Sequence, residues 1–295
     1  MCCNLSWPWI KLLVLTSTVF SLHSRPWEPP YISGDAFRSL ADFVLDETSD
    51  FHPKHVKQGN IIFVKTDNIE DFFHAKHPYI RHPYVLITHN GDYPVPRGCG
   101  RYLKDSKLLA WFGQNIEGFS HPKLRPIPIG IANQYVSGSG DVRILKQRRA
   151  QLNEYDRTHL AYLNINTGTN CDIRNRVYQI CREKSFCWER GGLPFKDYLI
   201  DLAQSKFVIS PRGNGLDCHR TWEALYMGAI PIVTHSSLDV IFENLPVLII
   251  DDWASLTEEF LEEQYQKITS GSYDLSPLYM NYWIKEIRNA TILKK

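Results

Sequence analysis

The 295-residue sequence has no excess of charge of either sign, with 33 Lys and Arg against 32 Asp and Glu and a formal net charge of +1. Without an overall basic field, general binding to the phosphate backbone of nucleic acid is excluded. Cysteine is sparse, 7 in all, and no pair has zinc-ribbon spacing, so neither a disulfide scaffold nor a zinc module is expected. No internal repeat and no low-complexity run is present. No uninterrupted apolar run reaches the length of about 20 residues that a bilayer span needs. What the chain does have is material for a large core, 43% hydrophobic against 22% charged residues, enough for one large domain or two ordinary ones. Aromatics make up 13%, including 8 Trp and 15 Tyr, which suits either stacking surfaces in a cleft or core filling.

At the amino terminus, Trp7-Pro-Trp-Ile-Lys11 leads into the apolar stretch Leu12–Leu22, and Arg25, Pro26, Pro29 and Pro30 then break the pattern. Extending that stretch back to Leu5 requires including Pro8 and Lys11, so residues 1–24 read as a signal peptide or short signal anchor. A buried helix is the alternative. The leader implies the secretory pathway and possible membrane attachment. In that setting Asn289-Ala-Thr291 is a glycosylation acceptor, and a pair among Cys171, Cys181 and Cys187, close in sequence, can bridge.

From about Ser33 short apolar runs alternate with amphipathic segments, the pattern of α/β domains. A helix is expected over Asp35–Glu47, with Phe37, Leu40, Ala41, Val44 and Leu45 on one face. Strands are expected at Ile61–Lys65, Tyr84–Thr88, Leu108–Phe112 and Leu124–Ile131, and a basic helix runs from Ser137-Gly-Ser-Gly140 to Tyr155. On that helix Arg143, Lys146, Arg148 and Arg149 form an expected solvated face. A second alternation begins at Thr158. The expected units are 27–156, 157–275 and a closing amphipathic helix within 276–295. Two such alternations predict two doubly wound parallel-sheet domains facing across a cleft.

The most informative run is Phe207-Val-Ile-Ser-Pro-Arg-Gly-Asn-Gly-Leu-Asp-Cys-His-Arg-Thr-Trp-Glu-Ala-Leu-Tyr-Met-Gly-Ala-Ile-Pro-Ile-Val-Thr234. It reads as strand, glycine loop, helix, glycine stop and strand. Gly213 and Gly215, flanking Asn214, let backbone approach a ligand. The helix start offers free N–H groups and a positive dipole end to an anion. Arg212 and Arg220 add charge-assisted donors suited to phosphate. Asp217, Arg220 and Glu223 lie three apart on one flank, with Glu223 placed to accept ribose hydroxyls. Neither the P-loop pattern nor the third glycine of the dinucleotide fingerprint is present. Spacing alone therefore leaves two readings: a nucleoside diphosphate at a helix start, or a plain tight turn with Asp217 as N-cap and Arg220–Glu223 as a surface pair.

The run Ser210-Pro-Arg-Gly-Asn-Gly through Ile232-Val233 resembles the donor-site signature of exostosin-like glycosyltransferases, glycosyltransferase family 47. The resemblance covers roughly residues 202–252. It implies the GT-B fold and inverting sugar transfer from a nucleotide-diphosphate sugar to a glycan or other hydroxyl acceptor. It places Arg212 and Arg220 on the diphosphate, Glu223 on the ribose, and Gly213 and Gly215 along the same pocket. Cys218 departs from the serine that many relatives carry. Retaining GT-B enzymes carry a second Glu eight positions before the one matching Glu223, and here that position is Gly215. Fucosyltransferases of the α1,3 type share the helix-glycine-proline cadence but not the residues at His219, Arg220 and Glu223-Ala224, and they are the runner-up donor class. Other readings are a degenerate module that binds without turnover and a nucleotide-sugar epimerase.

Inverting transfer needs a general base, expected at the strand ends of the first domain. Asp92 in His89-Asn-Gly-Asp92 is the first choice, followed by Glu117 and Asp35, with His89 as base or as orienter of Asp92. No Asp-x-Asp follows a strand, so no metal and no cofactor beyond the donor substrate is expected. Prolines between His74, His77 and His82 deny them a shared helix face. Trp111 and Phe112 are expected in the core.

Overall fold

The computed structural model describes residues 25–136 and 139–292. The leader at 1–24 lies outside the described residues. Among the described residues no helix is long and apolar enough to cross a membrane.

Among the described residues ten strands build two parallel sheets. The first comprises β1 (Phe43–Leu45), β2 (Asn60–Lys65), β3 (Tyr84–His89), β4 (Leu108–Gly113) and β5 (Leu124–Pro126), side by side in chain order. The second comprises β6 (His159–Leu163), β7 (Cys187–Glu189), β8 (Ser205–Ile209), β9 (Ile230–Thr234) and β10 (Leu248–Ile250), in the order β10-β9-β8-β6-β7. The helices are α1 (Gly34–Ser39), α2 (Ile69–Asp71), α3 (Val142–Ala150), α4 (Cys171–Arg182), α5 (Phe195–Ala203), α6 (His219–Tyr226), α7 (Asp239–Phe242), α8 (Glu258–Thr269) and α9 (Met280–Thr291).

Both sheets are apolar on both faces, as parallel sheets require. On one face of the first sheet, Ile62, Val64, Leu86 and Trp111 pack against Phe72 and Phe73, which follow α2. On the other, Ile61, Phe63, Val85, Ile87 and Phe112 meet Phe37 of α1 and Met280, Trp283 and Ile287 of α9. The spacing of those last three residues gives α9 one apolar face. At about 1.5–3 kcal/mol per large buried side chain, docking rather than intrinsic propensity holds this 12-residue helix. The end of the chain thus returns to cover the first sheet, and Asn289 stays exposed on its outer side.

Three sequence expectations change. The helix expected over Asp35–Glu47 stops at Ser39, and Phe43–Leu45 instead pairs in parallel with Ile62–Val64 as the sheet edge. Asp42 enforces the switch: its N–H donates to the Ile61 carbonyl and its carboxylate accepts the Ile61 N–H at 2.8 Å. Pairing with a preformed neighbour outweighs helical spacing in a run that contains Phe43 and Val44. The strand expected over Leu124–Ile131 pairs only as far as Pro126, because Pro126 and Pro128 have no N–H to offer a ladder. The basic helix begins at Val142 behind the N-cap Asp141 and packs with the second sheet: Val142 and Leu145 share a cluster with Leu199, Leu202 and Val208. Its Arg149 is not solvated but lies among the rings of Tyr31, Tyr226 and Tyr279, donating to both Tyr31 and Tyr279 hydroxyls.

The chain crosses between the sheets at Ile127–Gly140. Gly130 there has φ +68°, and a Cβ on it would stand 2.2 Å from the Ile32 carbonyl oxygen. Gly130→Ala is expected to cost at least about 2 kcal/mol, from left-handed strain plus displacement of backbone. Urea unfolding checks this, and a loss below about 0.5 kcal/mol refutes it.

Candidate functional site

The second sheet reverses its strand order between β6 and β8, and ligands of open α/β sheets bind outside the carboxyl ends of strands at such a reversal. A cavity of about 560 Å³ opens there. Asn164 and Asn166, just after β6, form one wall; Cys218, His219, Arg220 and Glu223 form another; Arg174, Leu193, Phe195 and Tyr198 complete it. Arg220 and Glu223, singled out from the sequence, are both brought to it. Among the described residues, Nε and Nη1 of Arg220 are buried with no hydrogen-bond partner. Buried charge-bearing donors of that kind are costly unless an anion satisfies them. Glu223 is 5% exposed, and the Tyr198 hydroxyl donates to its Oε2 at 2.9 Å. Burial raises the Glu223 carboxyl above its usual range, against the pull of His219, Tyr198 and Arg220.

Arg174, Tyr198, Asn164 and Asn166 were not legible as site residues. Arg174 holds the loops together: Nε donates to the Arg212 carbonyl at 3.0 Å and Nη1 to the Asn166 carbonyl at 3.1 Å. A Cβ on Gly213 would stand 3.2 Å from Arg174 Nη2, so the glycine allows this close approach. Burial, then the nearby Arg220, lowers the Arg174 pKa. Asn164 donates to the Tyr162 hydroxyl, which donates to Asp201, fixing its place from behind. The only signal in the sequence for these residues was their position after a strand, because α4 and α5 carry no motif.

The other signature residues separate from this cavity. Arg212 lines a smaller, polar cavity of about 190 Å³ with Ser210, Thr221, Thr234 and Ser236. Its Nη1 donates to Glu117 Oε1 of the first domain at 2.9 Å, while its Nε is buried without a partner. Asn214 reaches across the cleft to Asp92 Oδ2 at 3.2 Å. Gly215 lies under Asn115, whose Nδ2 would be 2.3 Å from a Cβ there. Asp217, placed by sequence on the anion-facing flank, instead precedes α6 and clasps the two domains. Its Oδ2 accepts the Ile129 N–H and the Trp222 indole N–H, each at 2.8 Å, and Oδ1 accepts the Cys218 N–H. Engaged three times within the protein and 4% exposed, Asp217 serves the fold rather than presenting its carboxylate to the donor cavity. Burial pushes its pKa up to about 6 despite those donors.

Two of the base candidates, His89 and Asp92, line a second cavity of about 690 Å³ between the domains. It is lined by Lys65, Asp67, His89, Asp92, Tyr93, Asn133, Tyr135, Asn214 and His219, among others. His89 is 1% exposed with both ring nitrogens engaged: Nε2 donates to the Pro128 carbonyl at 3.1 Å, and Nδ1 accepts the Asn90 N–H at 2.7 Å. That leaves no lone pair for an acceptor proton, and the ring does not contact Asp92. Burial depresses its pKa to about 4. Glu117 is tied to Arg212 as described. Asp35 lies 1% exposed behind Asn90, which donates to its Oδ1 at 3.3 Å. Asp92 is exposed at the cavity wall. Trp111 and Phe112 are core residues.

No protein-family model matches the chain, and no curated protein matches it in sequence. Solved structures do overlap it. An α1,3-fucosyltransferase shares 13% identity over 79% of this chain and 88% of its own, with a TM-score of 0.40. A GtfA/B complex shares 10% over 80% of this chain and 59% of its own, TM-score 0.33. The pneumococcal O-GlcNAc transferase GtfA, in complex with UDP and GlcNAc, shares 11% over 81% and 55%, TM-score 0.30. The chain thus spans somewhat over half the length of the last two. The described residues form two parallel α/β domains facing across a cleft, with the terminal helix returning to the first.

Proposed function

We propose that the protein is an inverting, exostosin-like glycosyltransferase that moves a sugar from a nucleoside-diphosphate sugar to a hydroxyl of a glycan acceptor. The observation that carries this reading is the pair of buried, unpartnered Arg220 nitrogens beside Glu223 at the strand-order reversal. A diphosphate supplies what those N–H groups lack, and Glu223 accepts ribose hydroxyls from the same helix. As the sugar's C1 leaves the phosphate oxygen, negative charge grows on the diphosphate, and Arg220 with Arg174 nearby stabilises it. Arg212, held by Glu117 at the adjoining smaller cavity, adds positive charge nearby. The acceptor occupies the cavity between the domains, which adjoins the donor cavity at His219. In this reading the leader at 1–24 directs the chain to the secretory pathway.

The test is incubation of the full chain with a panel of nucleoside-diphosphate sugars, following nucleotide release with and without glycan acceptors. Acceptor-dependent release with inversion at C1 is expected. Binding without release identifies a non-catalytic module, a rearranged nucleotide sugar without acceptor identifies an epimerase, and no nucleotide binding at all refutes the donor site.

A further inference from the structure

We propose that His219, at the start of α6 in the donor domain, is the general base that deprotonates the acceptor hydroxyl. The proposal rests on the glycosyltransferase reading above and assigns a role that reading leaves open. Three observations carry it. First, His219 lines both the donor cavity and the cavity between the domains, the border where a donor C1 and an acceptor oxygen must meet. Second, its Nδ1 is 2.7 Å from the Gly130 carbonyl oxygen. A carbonyl only accepts, so Nδ1 carries the proton and Nε2 of the neutral ring carries the lone pair. Among the described residues Nε2 has no hydrogen-bond partner. Third, His89 spends both nitrogens on backbone and Glu117 holds Arg212, while Asp92, exposed in the acceptor cavity, accepts from Asn214 and is the competitor that the test below separates.

The chemistry balances. The acceptor O–H proton passes to Nε2, and the oxygen's electron pair forms the new bond to C1. The bond from C1 to the phosphate oxygen breaks, and its electron pair leaves with the nucleoside diphosphate. An imidazole suits this work because its ordinary pKa lies close to neutral pH. The charged and titratable groups that face the ring are Asp217 beside it, Arg220 and Glu223 on its own helix, and His89 of β3 across the cleft. Asp92, Asp67 and Lys65 share the acceptor cavity with it.

The variant His219→Asn tests the proposal, because the asparagine amide reproduces the Nδ1 donor to Gly130 and lacks Nε2. Expected is a fall in kcat of about 10²–10⁴, with Kd for the nucleoside diphosphate within about threefold of the wild-type value. The acid limb of the wild-type pH–rate profile is expected to vanish from the residual activity. His219→Gln is expected to lose turnover similarly, and thermal melting identifies either variant that misfolds. Turnover near the wild-type level in either folded variant overturns the proposal, and loss of turnover in Asp92→Asn alone transfers the role to Asp92. A wild-type chain that binds no nucleoside diphosphate removes the underlying reading, a result distinct from both.

Discussion

Arg220→Ala is expected to weaken nucleoside-diphosphate binding by roughly ten- to a hundredfold, while leaving the free protein no less stable. The affinity loss follows from about 1.5–3 kcal/mol for hydrogen bonds to a charged group. The second half of the prediction separates a ligand-binding arginine from a structural one. In the free protein Nε and Nη1 are buried without partners, so alanine removes an unsatisfied group rather than a contact. A structural arginine, such as Arg149 among its three tyrosines, should instead lower the melting temperature when replaced. Glu117→Gln is expected to act oppositely on the diphosphate, raising affinity by up to about fivefold, because an exposed pair of this kind is worth at most about 1 kcal/mol. Its carboxylate stands on Arg212 Nη1, where a phosphate oxygen would otherwise bind. Calorimetric titration with a nucleoside diphosphate, alongside thermal melts, reads both effects. Wild-type affinity in Arg220→Ala rules out the donor site as placed here.

The second large effect concerns pH. Burial depresses His89 from 6.5 to about 4 and raises Asp217 from 3.8 to about 6. A depressed histidine contributes stability above its unfolded pKa and loses it as pH falls, here from about 6.5 to 4. A raised carboxyl contributes stability below its unfolded pKa and loses it as pH rises, here from about 3.8 to 6. Each shift corresponds to about 3 kcal/mol, so the two slopes nearly cancel over the same window. His89→Gln is expected to make the protein gain about 2 kcal/mol relative to wild type as pH is lowered from 6 to 4, the part of the shift that falls inside that window. Asp217→Asn is expected to lose a similar amount over the same interval. Urea unfolding at a series of pH values measures both, and curves parallel to wild type in both variants contradict the assignment. The pair matters for function because both residues hold the interdomain crossing: His89 through Pro128 and Asp217 through Ile129.

Much of the second domain was legible because its signals are local. The strand, glycine loop, helix and strand of 207–234 are written in contiguous residues, and Arg220 and Glu223 reach one cavity because a helix sets their spacing. The first domain was less legible. Phe43–Leu45 follows a helical pattern until Asp42 and β2 recruit it to the sheet. Asp217 looked like an anion-facing side chain, since its partners Ile129 and Trp222 could be identified only after folding. Arg174 and Tyr198 lie on helices with no motif, and they reach the site by docking.

The sequence by itself determined the parallel α/β character, the near-neutral balance of charge and the concentration of Arg212 and Arg220 about one helix start. These depend on residue type and short spacing. The tertiary structure decided which charges are free to act. Arg220 is left with unpartnered nitrogens, Arg212 is held by a first-domain carboxylate, and His89 is buried and spent while His219 stands at the border of two cavities. It also sorted the aromatic surplus, sending Trp111, Trp222 and Trp283 to the core and leaving Tyr93 and Tyr135 on the cleft wall. Those outcomes depend on contacts between residues up to a hundred positions apart, such as Asp217 with Asn115 and Arg212 with Glu117. No local pattern encodes such pairs, because the free energy that fixes them comes from burial and hydrogen bonding across the domain interface.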